Sequence, residues 1–382
     1  MIRVDGPWRR NKATQAVCAA IARDGAQALF VGGCVRNTLL GAEVSDIDIA
    51  TDATPEQVVA LAQAAGIKPV PTGIEHGTVT LVAGGIPHEV TTFRRDVETD
   101  GRRAVVAFST RVEDDASRRD FTMNALYALP DGTLIDPLGG ITDLQARHVR
   151  FIGSAEDRIR EDYLRSLRFF RFHAWYGDPG NGMDPDAIAA IAANLDGLES
   201  LSRERVGAET LKLLAAPDPA PAVAGLRSTG ALARLLPGAD DRVLAPLVHL
   251  EAEAGAAPDP IRRLAALGGD LAELLRLSRA QAGALERLRD WTGRAAQAGE
   301  LAYRLGADAA RDVLLLRHAL MGTPWDAAAT PAVEQGAAAR FPVAARDLMP
   351  AYTGPALGAR LAELERRWID SGFALTRDDL LG

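Results

Sequence analysis

The fold is decided by two neighbouring segments, Leu29-Phe-Val-Gly-Gly-Cys-Val-Arg-Asn-Thr-Leu-Leu-Gly41 and Ser45-Asp-Ile-Asp-Ile-Ala-Thr51. An apolar strand ends at Gly32 and Gly33, a short helix follows, and a second strand is expected to carry Asp46 and Asp48. Because side chains alternate along a strand, both carboxylates should lie on one face, where hard oxygen ligands suit Mg²⁺. The glycines let a phosphate approach the backbone, and the helix start offers free N–H groups to an anion. The pattern predicts a site for a nucleoside triphosphate and its metal ions.

The composition sets limits on the class of protein. The chain has 382 residues, of which 47% are hydrophobic and 25% charged, as expected for a globular protein of two to four domains. No segment approaches the roughly 20 apolar residues that span a bilayer, so no membrane association is expected. Two cysteines are too few for a disulfide framework and favour a reducing cytoplasm. The net charge of −8 argues against a nucleic-acid-binding coat over the whole surface.

The pattern of residues predicts an α/β head followed by a helical body. The β-branched runs 78–82 and 89–93 predict a hairpin-like pair, and residues 54–57 predict a helix start with a capping box. The polar stretch 96–103 is predicted to be a mobile loop. From about residue 155 onward, helical periodicity replaces the strand signals.

A second motif, Ser117-Arg-Arg-Asp-Phe-Thr-Met-Asn-Ala125, concentrates several polar groups in one short segment. Arginine presents paired N–H donors that match phosphate oxygens. Asp120 could accept hydrogen bonds from ribose hydroxyls, and Asn124 could complete the cradle. The alternative is a surface turn in which Arg118 or Arg119 merely pairs with Asp120, and the segment alone does not decide between the two.

A third motif lies in Arg160-Glu-Asp-Tyr-Leu-Arg-Ser-Leu-Arg-Phe-Phe-Arg-Phe172, which is predicted to be one helix. Asp162 and Arg165 are three residues apart and would share a face, where a carboxylate beside a guanidinium can read a base edge. The alternative is an ordinary ion pair worth tenths of a kcal/mol. Residues 147–171 also contain seven arginines against four carboxylates, which predicts a local basic cleft for nucleic acid in an otherwise acidic protein.

Five sequence motifs occur together in order, and they carry a resemblance to a known family. They are Gly32-Gly-Cys-Val-Arg-Asn37, Asp46-Ile-Asp48, Arg118-Arg-Asp-Phe-Thr-Met-Asn-Ala125, Asp136-Pro-Leu-Gly-Gly140 and Glu161-Asp-Tyr-Leu-Arg165. The chain thereby resembles class II tRNA nucleotidyltransferases (CCA-adding enzymes) and the related bacterial poly(A) polymerases. The resemblance implies an α+β fold with a polymerase-β-like nucleotidyltransferase head of mixed sheet and helices, followed by an all-α neck, body and tail. The implied bounds are 1–150 for the head, 151–215 for the neck and 216–382 for the tRNA-binding body and tail.

The resemblance also implies roles for individual residues. Asp46 and Asp48 would be the catalytic carboxylates that hold two Mg²⁺ ions, with Glu89 as a possible third carboxylate. Gly32, Gly33 and Arg36 would grip the triphosphate, and Asp120 would contact the ribose, with Arg119 and Asn124 nearby. Asp162 and Arg165 would hydrogen-bond the base of CTP or ATP. The loop 96–103 would take part in switching from C to A addition. The implied partners are tRNA, ATP and CTP, with no obligate protein partner evident.

One position departs from the family pattern, and several activities stay open. Asn37 stands where the family usually has Asp. The site survives if that residue only orients Arg36, whereas nucleotide affinity should fall if its charge matters. The leading hypothesis is addition of CCA to tRNA. Alternatives are a poly(A) polymerase, a partial enzyme adding only CC or only A, a small-molecule nucleotidyltransferase, and a non-catalytic RNA-binding protein.

Overall fold

The named strands of the structure lie between residues 29 and 135. The computed structural model describes residues 2–71, 73–100 and 103–382. The strands are β1 Leu29–Val31, β2 Asp48–Thr51, β3 Lys68–Val70, β4 Thr78–Ala83, β5 Ile86–Thr92, β6 Arg94–Asp100, β7 Arg103–Phe108, β8 Tyr127–Ala128 and β9 Leu134–Ile135. Seven of them form one sheet in the order β3-β4-β5-β2-β1-β8-β9, and β6 pairs with β7 separately. Strand β2 runs parallel to β5 and antiparallel to β1, which makes the sheet mixed.

Helices lie before and between the strands and make up most of the described chain after residue 140. They are α1 Pro7–Arg10, α2 Lys12–Ile21, α3 Gly33–Leu40, α4 Pro55–Ala64, α5 Val112–Ser117, α6 Gly140–Gln145, α7 Ala155–Glu161, α8 Leu164–Tyr176, α9 Pro185–Ala193, α10 Arg203–Leu214, α11 Ala220–Thr229, α12 Ala231–Leu235, α13 Leu244–Glu253, α14 Pro260–Leu267, α15 Arg279–Thr292, α16 Ala298–Leu305, α17 Ala307–Met321, α18 Thr330–Ala338, α19 Ala345–Leu348, α20 Gly354–Asp370 and α21 Arg377–Leu381. The predicted α+β fold with a helical remainder is therefore confirmed. No helix in the described ranges is long and apolar enough to cross a membrane.

The chain divides into two compact units. One comprises residues 1–209 and 221–235, and the other comprises residues 210–220 and 236–382. The first unit holds the whole sheet and helix α8, and the second is built from helices such as α13, α16, α17 and α18. The head, neck and body bounds implied by the sequence stay predictions.

Local sequence explains the elements that surround the site. Thr54 accepts a hydrogen bond from the Gln57 backbone N–H while the Gln57 side chain returns one to Thr54, so the predicted capping box of α4 is confirmed. Strands β4 and β5 pair as the predicted hairpin. The predicted strand after α3 is shorter than expected, because β2 begins at Asp48 and Asp46 precedes it. Ile47 and Ile49 are nevertheless buried while Asp46 is exposed and Asp48 half-buried, so the alternation between faces holds.

An aromatic cluster joins the head to α8 within the first unit. Phe121 packs against Phe151 and Phe172, with ring centroids 4.9 and 4.7 Å apart, and Phe151 stacks on Phe169 at 5.7 Å. These four rings are buried. Aromatic packing of this kind adds about 0.5–1.5 kcal/mol per pair beyond the burial of area. The cluster fixes α8 against the segment that carries the second motif.

Two predictions of local structure are wrong. The stretch 96–103 was predicted to be a loop, but β6 extends to Asp100 and β7 begins at Arg103, and positions 101 and 102 lie outside the described residues. Cross-strand backbone pairing with the apolar run of β7 outweighs the polar composition of β6. The helix predicted over 160–172 is interrupted, because Asp162 has extended backbone with φ −155° and ends α7. Its side chain instead accepts a hydrogen bond from the Leu164 N–H at the start of α8, at 3.1 Å.

The second unit contains a buried cluster of charges around Glu251 of α13. The Glu251 carboxylate accepts hydrogen bonds from the Nε of Arg262 at 2.8 Å and from the Nε and Nη2 of Arg263 at 2.9 and 2.7 Å. The Arg263 side chain is 1% exposed and also donates to the carbonyl oxygens of Leu214 and Ala216. Buried charges are tolerated when they are paired and hydrogen-bonded, and this cluster meets both conditions.

Candidate active site

The turn between β1 and α3 is the first component of the site. Gly32 has φ +69° and ψ −120°, a conformation that residues with a Cβ rarely adopt. A Cβ built on Gly32 would lie 3.6 Å from Nη1 of Arg119, so the absence of a side chain keeps this space open. The eight-residue helix α3 begins at Gly33 with backbone N–H groups that have no intrahelical partner. The turn therefore places a helix N-terminus and a guanidinium next to the same open space, as an anionic group requires.

The carboxylates of Asp46 and Asp48 are the second component. Asp48 opens β2 and is the register partner of Glu89 on the parallel strand β5. Burial, together with the charges of Glu89 and Asp46, raises the pKa of Asp48 to about 6, although Arg119 and Arg36 oppose the shift. Asp46 accepts a hydrogen bond from the Ser45 hydroxyl at 2.8 Å. In the described parts of the chain we find no group of three or more His, Cys, Asp and Glu side chains arranged to bind a metal, so the role of Glu89 stays a prediction.

Arg119 is held by a carboxylate that sequence reasoning overlooked. Asp115 on α5 is 2% exposed and accepts from the Nε and Nη2 of Arg119 at 3.2 and 2.8 Å, from the Nε of Arg118 at 3.0 Å and from the Tyr127 hydroxyl at 2.8 Å. The alternative in which Arg118 or Arg119 pairs with Asp120 is therefore wrong. Among the described residues, none accepts from Nη1 of Arg119, which is the nitrogen that lies beside Gly32. Asp115 thus orients Arg119 and leaves one end of its guanidinium available.

The Asp115 network gives a pH-dependent contribution to stability. Burial by itself would raise the pKa of Asp115, but Arg119, Arg118 and the Tyr127 hydroxyl outweigh it and lower the pKa to about 2. Because the pKa of Asp115 is lower in the folded state, ionised Asp115 stabilises the protein at pH values above its unfolded-state pKa of about 4. This contribution is lost as the pH falls toward 2. We expect Asp115 to contribute about 2 kcal/mol at neutral pH through this shift. Urea unfolding of wild type and Asp115→Asn should differ above pH 4 and converge below it. A difference that is independent of pH between 2 and 5 would contradict this assignment.

Arg36 of α3 is enclosed by side chains from three parts of the first unit. Its Nε and Nη2 donate to the Asn37 side-chain oxygen at 3.1 and 2.9 Å, and its Nη1 donates to that of Asn124. Nη2 also donates to the Tyr176 hydroxyl at 2.9 Å. Asn37 therefore orients Arg36 without a negative charge, while its amide N–H donates to the Glu43 carbonyl at 2.7 Å. Asn37 thus fills the role of orienting Arg36 in this chain.

Asp120 connects the second motif to α8. Its Oδ1 accepts from the Phe121 N–H at 2.9 Å and from the Asn124 amide at 2.8 Å. Its Oδ2 accepts from the Nε and Nη2 of Arg168 at 2.9 and 2.5 Å. Both oxygens are saturated, because a carboxylate has about four lone-pair positions. A ribose hydroxyl would have to replace one of these bonds, so Asp120 in this arrangement orients Arg168 and Asn124.

Asp162 and Arg165 line a common cavity but do not pair with each other. The cavity has a volume of about 290 Å³ and is lined by Arg118, Arg119, Asp120, Asp162, Leu164, Arg165, Arg168 and Arg205. Asp162 accepts from Nη2 of Arg205 at 2.6 Å, whereas Arg165 pairs with Glu161. The alternative of an Asp162–Arg165 ion pair is therefore wrong. A larger cavity of about 590 Å³ beside α7 and α9 contains none of the predicted site residues, so the smaller one is the better candidate for the base.

The basic segment 147–171 is largely neutralised by ion pairs. Six of its seven arginines pair with carboxylates: Arg150 with Asp143, Arg158 with Glu161, Arg160 with Glu156, Arg165 with Glu161, Arg168 with Asp120 and Arg171 with Glu209. The excess of arginine in the sequence is therefore not an equal excess of free positive charge. Contact between this segment and nucleic acid stays a prediction.

Four residues at the site were missed by sequence reasoning. Asp115 could have been found, because it precedes Arg118 and Arg119 by three and four residues and helical spacing brings such residues together. Tyr127 follows Arg119 by 8 residues, whereas Tyr176 and Arg205 reach the site from distant positions, and no local pattern marks any of the three.

Comparisons with protein families and sequences agree with this geometry. Residues 28–150 match the model described as "Poly A polymerase head domain", and residues 182–242 match "Probable RNA and SrmB- binding site of polymerase A". The chain is 46% identical over 186 residues to the mitochondrial CCA tRNA nucleotidyltransferase 1 of Homo sapiens, covering 48% of this chain and 43% of that protein. It is 43% identical over 218 residues to the CCA-adding enzyme of Geobacillus thermodenitrificans, covering 56% and 52%. These matches span about half the length of the curated relatives.

Solved structures extend the similarity over nearly the whole chain. The Bacillus stearothermophilus CCA-adding enzyme in complex with CTP superposes with a TM-score of 0.75 at 30% identity, covering 96% of this chain and 94% of that one. The Thermotoga maritima CCA-adding enzyme complexed with tRNA shares the fold, with a TM-score of 0.69 at 17% identity over 96% and 92% of the two chains.

This protein has a nucleotidyltransferase fold with a poly(A)-polymerase-type head. The features that define this class are the mixed sheet, its glycine turn and the carboxylates at the start of β2. The match at 30% identity over 94% of a CCA-adding enzyme then specifies the family. The chain belongs to the family of class II tRNA nucleotidyltransferases and related bacterial poly(A) polymerases.

Proposed function

We propose that this chain adds CCA to the 3′ end of tRNA, using CTP and ATP and releasing pyrophosphate. The observation that carries the proposal is the Asp48 carboxylate, which is half-buried beside Glu89 and within electrostatic range of Arg119 and Arg36. The name of the 46%-identical relative supports tRNA as substrate, that of the 43%-identical relative supports CCA addition, and the complex of the 30%-identical enzyme supports CTP. A poly(A) polymerase, or a partial enzyme that adds only CC or only A, would use the same residues. The nucleotides added to the RNA distinguish these alternatives from CCA addition.

The donor set of Asp46 and Asp48 fits Mg²⁺. The raised pKa of Asp48 reflects an anionic carboxylate placed near other carboxylates with partial burial, and a nearby divalent cation favours the ionised form. Hard oxygen donors are the ligands that Mg²⁺ prefers. When bound, Mg²⁺ supplies Lewis-acid stabilisation of the charge that develops during phosphoryl transfer. Asp46 and Asp48 would hold it.

The remaining chemistry depends on positioning by this chain's own residues. The N-terminus of α3 and the free Nη1 of Arg119 offer donors to the triphosphate beside the Gly32 turn. Held there, the α-phosphate faces the primer 3′-hydroxyl for in-line attack, which forms the new P–O bond and breaks the bond to pyrophosphate. Arg119 and Arg36 would stabilise the negative charge that accumulates on the departing pyrophosphate.

Selection of the base is proposed to depend on Asp162 and Arg165. A base entering the 290 Å³ cavity would replace Arg205 at Asp162 and Glu161 at Arg165. A paired carboxylate and guanidinium typically contribute about 1–3 kcal/mol of discrimination between bases. We expect Asp162→Ala to change the ratio of kcat/KM for CTP over ATP by roughly 10–100-fold. Asp157→Ala, an exposed carboxylate on α7, is the matched control. An unchanged ratio in Asp162→Ala would refute the assignment of base reading to this residue.

Product lengths test the activity directly. Purified protein and Mg²⁺ are supplied with tRNAs that end before CCA, after C and after CC, together with CTP, ATP or both. Growth that stops at CCA supports the proposal. Unlimited addition of A selects a poly(A) polymerase, arrest after CC selects a partial enzyme, and an absence of growth combined with tRNA binding selects the RNA-binding protein.

A further inference from the structure

The last residue of α8, Tyr176, contacts the guanidinium of Arg36. The guanidinium carbon of Arg36 lies 4.1 Å from the ring centroid of Tyr176, and Nη2 of Arg36 donates to the Tyr176 hydroxyl at 2.9 Å. Phe172, one turn earlier on α8, lies 5.2 Å from the same guanidinium carbon and 5.4 Å from the Tyr176 ring. Tyr176 therefore contributes both a ring face and a hydrogen bond to a residue 140 positions away.

These contacts determine the placement of Arg36. Arg36 is 7% exposed, and burial lowers the pKa of its guanidinium. Asn37 and Asn124 fix its edges through hydrogen bonds, while Tyr176 covers its face. A cation–π contact and a hydrogen bond to a charged group each stabilise this orientation of the guanidinium. Without Tyr176, the guanidinium would keep only the more distant ring of Phe172, 5.2 Å away, and would have more rotamers available.

The same helix also reaches the proposed base cavity. Arg165 and Arg168 line that cavity near the N-terminal end of α8, and Arg168 is anchored to Asp120. Helix α8 has 13 residues and therefore extends about 20 Å. One rigid element thus contacts the base cavity near its start and the triphosphate arginine at its end.

We infer that Tyr176 is a positioning residue that holds Arg36 in the orientation needed to bind the triphosphate. The inference rests on the proposed function, because it takes Arg36 as part of the triphosphate site. It adds that α8 links triphosphate binding to the cavity proposed for the base. It also predicts that loss of Tyr176 weakens recognition of phosphates and leaves recognition of base and ribose in place.

The test compares ATP with AMP by equilibrium titration of wild type, Tyr176→Leu and Tyr176→Phe. The ratio of the Kd for AMP to the Kd for ATP measures the contribution of the two outer phosphates and cancels contacts to base and ribose. We expect Tyr176→Leu to lower this ratio about tenfold, and Tyr176→Phe, which keeps the ring but loses the hydroxyl, to lower it by about threefold. Trp175→Leu, an exposed aromatic residue beside it, is the matched control and should keep the wild-type ratio.

A double-mutant cycle with Arg36→Lys separates positioning from general damage. If Tyr176 acts through Arg36, the Tyr176→Leu substitution should lower the ratio much less in the Arg36→Lys background than in wild type. Equal loss of AMP and ATP binding in Tyr176→Leu, or a full additional loss in the double variant, would overturn the inference. Titration does not require turnover, so a wild-type protein that binds ATP but extends no tRNA would refute the proposed function while still testing Tyr176.

Discussion

Replacing Asp48 with asparagine is expected to lower nucleotide incorporation by at least about 10³-fold while tRNA binding changes by less than about twofold. The substitution keeps the shape of the side chain but removes the anionic oxygen that Mg²⁺ requires. Metal-assisted stabilisation of a phosphoryl transition state contributes several kcal/mol, and each 1.4 kcal/mol is a factor of ten in rate. Single-turnover extension of a tRNA ending in CC, at saturating ATP, measures the chemical step directly.

The control for this experiment is Asp24→Asn, which makes the same substitution at an exposed aspartate in the same unit. Asp24→Asn should match wild type in both rate and tRNA binding. If Asp48→Asn retains more than about one tenth of the wild-type rate, Asp48 is not a metal ligand in the reaction. If it loses tRNA binding in parallel with activity, the carboxylate has a structural role instead.

Replacing Glu251 with glutamine should destabilise the second unit by about 3–5 kcal/mol, because buried Arg263 loses the carboxylate that compensates it and buried Arg262 keeps only Asp312. Glutamine has nearly the volume of glutamate, so the effect measures the charge and not a cavity. Arg263 cannot reach solvent, since its side chain is 1% exposed and its Nη1 is committed to the carbonyl oxygens of Leu214 and Ala216. For a typical dependence on denaturant, the urea midpoint should fall by roughly 2 M.

Tryptophan fluorescence reports this transition, because Trp291, Trp325 and Trp368 lie in the second unit. Glu253→Gln is the matched control: Glu253 is also on α13, but its side chain is 45% exposed. The control should shift the midpoint very little, since exposed ion pairs contribute at most about 1 kcal/mol. A Glu251→Gln midpoint equal to that of the control would show that the two arginines are compensated by other groups.

The fold was predictable where short-range rules and burial agree. The Gly32 turn, the capping box of α4 and the β4–β5 hairpin follow from backbone sterics and local hydrogen bonding, and each appears in the structure as predicted. The stretch 96–103 failed because composition was used to infer a loop, whereas pairing with β7 decides its conformation. The single helix over 160–172 failed because helical periodicity continues through Asp162, which has extended backbone and whose side chain accepts a hydrogen bond from the Leu164 N–H.

In the site, too, contacts between residues close in sequence were predictable and contacts between distant residues were not. The pairing of Arg119 with Asp115 obeys helical spacing and could be read from the sequence. The contact of Arg36 with Tyr176 joins residues 140 positions apart, and that of Asp162 with Arg205 joins residues 43 apart. No pattern within a window of a few residues contains such pairs, because they depend on how α3, α8 and α10 pack.

The sequence by itself determined the order of motifs, the glycine turn, the alternation of Asp46 and Asp48 with buried isoleucines, and hence the family. These properties depend on residues close together in the chain, where backbone geometry restricts the outcome to few structures. Only the tertiary structure decided which charges are free. In the folded chain, six of the seven arginines in 147–171 pair with carboxylates. Both oxygens of Asp120 accept hydrogen bonds, and Nη1 of Arg119 is available beside Gly32. The physical reason is that an ion pair depends on distance in space, and packing sets that distance independently of separation along the chain.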